Sequence, residues 1–201
     1  MMDSKIDALI QNHLLESARV KTEVANRCAP DIAAAIALIT HSFAAGGKLM
    51  LCGNGGSAGD CQHIAAEFTS VLRQEYPRPA LPAIALTTDT SFLTARGNDY
   101  GFDGIFKRLV EALGRRGDVL IGISTSGNSL NVCAAIQEAQ TRGLITVALT
   151  GDSGGEIAGI AQVAIKIPSR KVQHIQEAHI AVGHIICQAV EEQLYTKTSA
   201  K

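Results

Sequence analysis

The sequence predicts an α/β fold: a five-stranded parallel sheet flanked by helices on both faces, with an N-terminal helical extension. Three observations carry that expectation. The chain is 201 residues long, the size of one ordinary domain with a sizeable core. From Lys48 onward, short apolar runs alternate five times with helical stretches, and strands separated by helices pair in parallel. The runs are apolar at consecutive positions, as in strands buried on both faces.

The elements follow in order. Ile6, Leu9, Ile10, Leu14, Ala18 and Val24 recur at helical spacing among Lys, Glu, Asp and Gln, which predicts an amphipathic first helix in need of a partner surface. Pro30 breaks it. Residues 31–45 (DIAAAIALITHSFAA) form a second helix, apolar on most sides and closed by Gly46 and Gly47. Lys48–Cys52 then runs into GNGGS and a helix from Ser57, and Pro82–Leu86 into TTDTS and a helix near Phe92. Val119–Ile123 runs into STSGNS and a helix from Leu130, Ile145–Leu149 into TGDSGG, and Val163–Ile167 into a last helix over 172–194. The expected division is 1–47 for helical packing and oligomerisation, 48–195 for the α/β domain and 196–201 (TKTSAK) for a frayed tail, all in one structural unit. Ligand sites in such sheets lie beyond the carboxyl ends of the strands. The Gly/Ser loops fall there, and they account for the high content of 19 glycines.

Composition removes several function classes. With 18 Lys and Arg against 19 Asp and Glu, no polyanion-binding surface is written into the bulk charge. Aromatics are 4% and Trp is absent, which argues against stacking platforms for nucleic acid. Every apolar run is cut short of the roughly 18 residues that a membrane span needs. Five cysteines without a C-x-x-C pair, and an N-terminus lacking a charged region followed by an apolar one, read as a reduced, cytoplasmic chain without a structural zinc knuckle.

Four stretches carry chemistry. Ser124-Thr125-Ser126-Gly127-Asn128-Ser129 places four hydroxyls and several free amides where a strand hands over to a helix. That composition suits a phosphate cradle, with the helix dipole favouring a dianion; the plainer alternative is helix capping. It lacks the lysine of a nucleoside-triphosphate loop, so a sugar phosphate fits better. Gly53-Asn54-Gly55-Gly56-Ser57-Ala58 formally matches a dinucleotide fingerprint. The acidic residue expected about 20 positions later is missing, because Asp89 comes much later. Asn54 and Ser57 point instead to the hydroxyls of a small substrate.

On the helix that follows, Asp60 precedes His63 and Glu67, and the latter two are i, i+4 on one face. That spacing suits two ligands on one metal, or an imidazole beside a carboxylate for proton transfer; an incidental solvated face is the alternative. The last helix holds Gln173, His174, Gln176, Glu177, His179 and His184. By helical phase Glu177 coincides best with His184, while Gln176 lies about 80° from it and could still converge. His174 and His179 read equally as capped or core-edge residues. His184, in an apolar stretch, needs a partner.

With these residues in place, the chain resembles the sugar isomerase (SIS) fold and, within it, the phosphoheptose isomerases. The resemblance spans roughly residues 5–195 and rests on CGNGGSAGDCQHIAAEF, ALTTDTSFLTARGNDYGF, GDVLIGISTSGNS, ALTGDSGG and IQEAHIAVGH. It implies a flavodoxin-like three-layer sandwich and the interconversion of sedoheptulose 7-phosphate with D-glycero-D-manno-heptose 7-phosphate through an enediol. That is the first step towards the heptose of bacterial cell-surface polysaccharides, lipopolysaccharide among them.

Carried over by motif, Ser124, Thr125, Ser126 and Ser129 bind the phosphate, and Asn54, Gly55, Gly56, Ser57, Asp99 and Gln176 meet the sugar. The resemblance implies one zinc ion per subunit, held by His63, Glu67, Gln176 and His184, with Gln176 rather than Glu177 as the family's ligand on the last helix. It makes Glu67 and His184 the candidates for acid/base catalysis. The resemblance also implies a homotetramer with sites at subunit interfaces. Val71 stands where many members carry Arg, leaving Arg73 or Arg78 as substitutes, and Gln173 stands where they often carry Asp. A related non-enzymatic protein of this fold binds the replication initiator; it lacks the Glu and the last His that Glu67 and His184 match here. Sugar-phosphate-sensing members add a DNA-binding region, for which the stretch before Lys48 offers no room.

Overall fold

A computed structural model describes residues 2–73 and 77–195; the tail expected at 196–201 lies outside the described residues. The elements run α1 (Met2–Arg27), α2 (Ala29–Ala44), β1 (Leu49–Gly53), α3 (Gly56–Thr69), β2 (Ala83–Ala85), α4 (Thr90–Tyr100), a short 3-10 turn (Phe102–Gly104) and α5 (Ile105–Leu113). They continue with β3 (Val119–Ser124), α6 (Leu130–Thr141), β4 (Ile145–Thr150), α7 (Gly155–Ile160), β5 (Val163–Lys166) and α8 (Val172–Tyr195). All five strands pair in parallel, in the order β2-β1-β3-β4-β5. The expected α/β architecture is the one observed. The order reverses between β1 and β3, which opens a crevice at their carboxyl ends.

Alternation along each strand divides the core in two. Leu49, Leu51, Val119, Ile121, Ile123, Val147 and Leu149 face one side, where α1, α2, α3 and α8 cover them. Met50, Cys52, Leu120 and Ala148 face the other, under α5, α6 and α7. Burial on both faces is why the strands read as unbroken apolar runs.

Two helices escape the sequence pattern. The crossover from β2 to β3 holds α5 as well as α4, and a single turn and a half, α7, follows the loop after β4. Neither α5 nor α7 begins at a side-chain cap, since each has glycine at its N-cap, so the usual start signal is missing.

Pro30 sits in the first turn of α2, where its missing N–H costs nothing. The second half of α1 anchors Val20 and Val24 in the core, whereas Ile6, Leu9, Ile10, Leu14 and Leu15 in its first half are 50–68% exposed. At Gly183 a Cβ would come within 2.7 Å of the Ile64 side chain. That close approach draws α8 onto α3 and sets His184 beside the His63 face.

Candidate active site

Ser124 ends β3, and its Oγ lies 2.9 Å from Ser129 Oγ and 3.4 Å from Ser126 Oγ. Ser129 occupies the N-cap of α6 but makes no side-chain cap bond. The Ser129 hydroxyl is therefore not spent on capping α6, while Ser126 Oγ accepts from the Asn128 N–H at 3.2 Å. Gly127 has φ 72°, and a Cβ there would stand 2.6 Å from the Gly154 carbonyl carbon. Only glycine permits that packing. The start of α7 fixes the same loop, with the Ile157 N–H donating to Gly127 O at 3.0 Å and the Glu156 N–H to Asn128 Oδ1 at 2.9 Å.

Thr125, Ser126 and Asn128 line a cavity of about 350 Å³ together with Ser153, Ser169 and Arg170. Arg170 is a cation at its rim, 90% exposed and 3.8 Å from Asp152. Sequence reasoning missed it, because a lone basic residue in the loop after β5 carries no motif.

After β1, Gly55 turns the chain at φ 55°. Asn54 and Asn131 exchange two amide hydrogen bonds of 2.9 Å each, tying the loop after β1 to the first turn of α6. Ser57 is buried beneath them. A Cβ on Gly56 would come within 2.6 Å of Gln176 Nε2, so the Gln176 amide lies flat on the first turn of α3. Asp99 is exposed on α4 and accepts from Asn98 Nδ2 at 2.8 Å.

His63 and Glu67 share a face of α3, with His63 Nε2 and Glu67 Oε1 3.3 Å apart. From α8, His184 Nε2 reaches His63 Nε2 at 2.8 Å, the rings crossing edge to face. The three donor atoms all lie within 4.8 Å of one another. A tetrahedral ion with bonds near 2.1 Å holds its donors roughly 3.4 Å apart; the 3.3 Å pair matches that spacing, and the 2.8 Å His63–His184 contact has to open by a few tenths of an ångström for this donor set to hold a divalent metal. Gln176, the fourth ligand that the resemblance implies, precedes His184 by eight residues of α8, and its side chain rests on Gly56 at the start of α3. Asp60, one turn before His63, has its carboxyl raised by burial against the pull of His63.

Helical phase favoured Glu177 as the companion of His184, and the structure corrects this. Glu177 turns to α1 and accepts from His13 Nε2 at 2.7 Å, because a shared phase leaves the two residues about 10 Å apart along the axis. The buried imidazoles of α8 are His174 and His179, at 3% and 0% exposure, while His184 is half-buried.

The SIS domain family matches residues 13–151. A phosphoheptose isomerase from Chlorobaculum tepidum is 52% identical over 192 residues, 95% of this chain and 92% of that one. The chain belongs to the phosphoheptose isomerases of the SIS domain family. Among solved structures, the phosphoheptose isomerase of Neisseria gonorrhoeae superposes with a TM-score of 0.87 at 44% identity, covering 93% of this chain and 99% of that one. That of Francisella tularensis gives 0.88 at 37% identity, covering 94% and 98%.

As a phosphoheptose isomerase, the chain departs from the expected family pattern at Val71, and neither proposed replacement is free. The Arg78 side chain is wholly buried, and its Nε and Nη2 donate to Glu191 Oε1 at 2.8 and 2.6 Å. Nη2 also donates to Glu67 O at 2.8 Å, and Nη1 to Phe68 O at 2.9 Å. The guanidinium thus ties down the backbone beneath Glu67 and cannot meet a substrate. Arg73 pairs with Glu192 at 3.1 Å, two helical turns beyond His184. The five cysteines are free and buried, and burial raises every one of their thiols. None is suited to act as a nucleophile.

Proposed function

We infer that this chain interconverts sedoheptulose 7-phosphate and D-glycero-D-manno-heptose 7-phosphate. One observation carries the reading: a hydroxyl-lined cradle at Ser124–Ser129 and a separate His63, Glu67 and His184 cluster in the same chain. A substrate that bears phosphate at its far end and reacts at its first two carbons needs two such sites, apart. The identity to phosphoheptose isomerases over nearly the whole chain supports the same substrate.

The exchange moves one proton between adjacent carbons through an enediol and needs no redox cofactor. Glu67 takes the carbon-bound proton from one carbon and returns it to the other, while His184 exchanges protons with the two oxygens. Ser124, Thr125, Ser126 and Ser129 hold the phosphate with the amides at the start of α6, and Gln176 and the Asn54–Ser57 loop orient the sugar chain. His63, Glu67 and His184 would hold a zinc ion, with Gln176 as the further ligand the family resemblance implies; the ion supplies positive charge that polarises the carbonyl and offsets the enediolate. A carboxylate has two oxygens, so Glu67 can ligate through one and take the proton on the other.

The exposed apolar residues of α1 and an apolar groove of about 480 Å³ between α1, α2 and α8 support assembly with further copies, in the homotetramer implied by the resemblance. Among the described residues no helix is long and apolar enough to cross a membrane. A cytoplasmic enzyme supplying heptose for cell-surface polysaccharide is the setting this reading implies.

The test is incubation of the pure protein with sedoheptulose 7-phosphate, with and without chelator, and identification of the product. Glu67→Gln and His184→Gln should each lower kcat by at least 100-fold in folded protein, and chelator should lower it reversibly. Normal rates in both variants would end the assignment.

A further inference from the structure

A second group of metal-ligating side chains lies between α1 and the start of α8. His13, midway along α1, meets His174 and Glu177 from the first two turns of α8. Glu177 Oε1 lies 2.7 Å from His13 Nε2 and Oε2 3.1 Å from His174 Nδ1. The two rings stand 4.5 Å apart between centroids, tilted by 51°. Ligand atoms from all three residues lie within 4.8 Å of one another.

Several features distinguish this cluster from an incidental surface pairing. The donors come from segments 164 residues apart in sequence, so helical spacing alone did not bring them together. His174 is 3% exposed, while His13 and Glu177 are about one third exposed at 38% and 34%. Two imidazole nitrogens and one carboxylate form the donor set of an open zinc site, with a fourth position facing water. The Glu177 carboxylate also takes a hydrogen bond from Ser17. Ser17 is buried one turn beyond His13 and is itself held by Lys21 Nζ at 2.6 Å. It orients the carboxylate from behind, as outer partners of metal ligands do.

We propose that His13, His174 and Glu177 form a second, structural divalent-metal site, able to take zinc, that staples α1 to the start of α8. It is independent of the His63, Glu67 and His184 cluster, and a protein lacking His63 and His184 isolates it. The staple holds α1 where its first half projects an apolar face. Metal bound there acts on the folded state alone and so raises the unfolding temperature.

The experiment uses full-length protein with His63→Ala and His184→Ala, dialysed against zinc and then subjected to elemental analysis and thermal unfolding. One equivalent of zinc per chain should remain, and zinc should raise Tm. Adding His13→Ala, or Glu177→Gln in a separate protein, should weaken zinc binding at least tenfold and abolish the Tm response. Circular dichroism confirms that each variant is folded. Zinc retention below 0.2 equivalents in the His63 and His184 double variant, or equal retention after His13 is removed, overturns the proposal in favour of a plain hydrogen-bonded clamp.

Discussion

Replacing Arg78 with methionine tests how the acid/base face is held. The guanidinium and the Glu191 carboxylate are both fully buried, and three guanidinium nitrogens reach Glu191, Glu67 O and Phe68 O. Arg78→Met removes all of these donors and leaves a carboxylate sealed in the core. Breaking one side of a buried pair costs about 3–5 kcal/mol. At roughly 2–4 °C per kcal/mol for a chain of this size, Tm should fall by about 6–20 °C, read by calorimetry at fixed protein concentration. The double change Arg78→Met with Glu191→Leu removes both charges, and it should recover most of the loss, since apolar replacement of a buried pair is often neutral. The Glu67 carbonyl still lacks the Arg78 donor in that protein, whereas Phe68 O keeps the Leu81 N–H at 3.0 Å, so kcat should stay depressed while stability returns. A single variant within 1 °C of wild type, or a double variant no more stable than the single, would refute the argument.

Two further outcomes follow from the same geometry. Gly127→Ala forces a side chain to φ 72° against the Gly154 backbone; stability should fall by about 1–3 kcal/mol and KM for the sugar phosphate should rise at least tenfold, and an unchanged KM would remove the loop from the phosphate site. Burial lowers the His179 imidazole from 6.5 to about 4, only partly opposed by its hydrogen bond to Thr150 O. Between those values the unfolded chain binds the extra proton, so this stability is fully present above pH 6.5 and is lost as pH falls through about 4, by about 3 kcal/mol. His179→Phe should flatten that limb of the stability–pH curve, and an identical slope in wild type and variant would contradict it.

The order of elements was legible because it rests on local signals. Lys48–Cys52 and Val119–Ile123 read as strands from unbroken apolar runs, and the structure places β1 and β3 within a residue of those bounds. The His63–Glu67 pair was legible too, since i, i+4 spacing on one helix puts two side chains on one face wherever that helix packs. The helices α5 and α7 were not, because their glycine N-caps leave no polar start signal.

Tertiary packing decided what periodicity cannot express. A helical period fixes the direction of a side chain around its own axis, but not its height along that axis relative to a neighbour. Glu177 and His184 share a phase, yet one meets His13 on α1 and the other His63 on α3. The choice was made where Gly183 lets Ile64 approach, setting how α8 lies on α3. Likewise Arg78, offered by the resemblance as a substitute for the arginine missing at Val71, is buried beneath Glu67, because Glu191, over a hundred residues later, arrives at the same place. The sequence determined the strand runs, the two-faced sheet, the Gly/Ser loops and the His63–Glu67 face. Which faces meet, and therefore which residues form the cluster, the salt bridge and the second histidine site, depended on contacts between segments far apart in the chain.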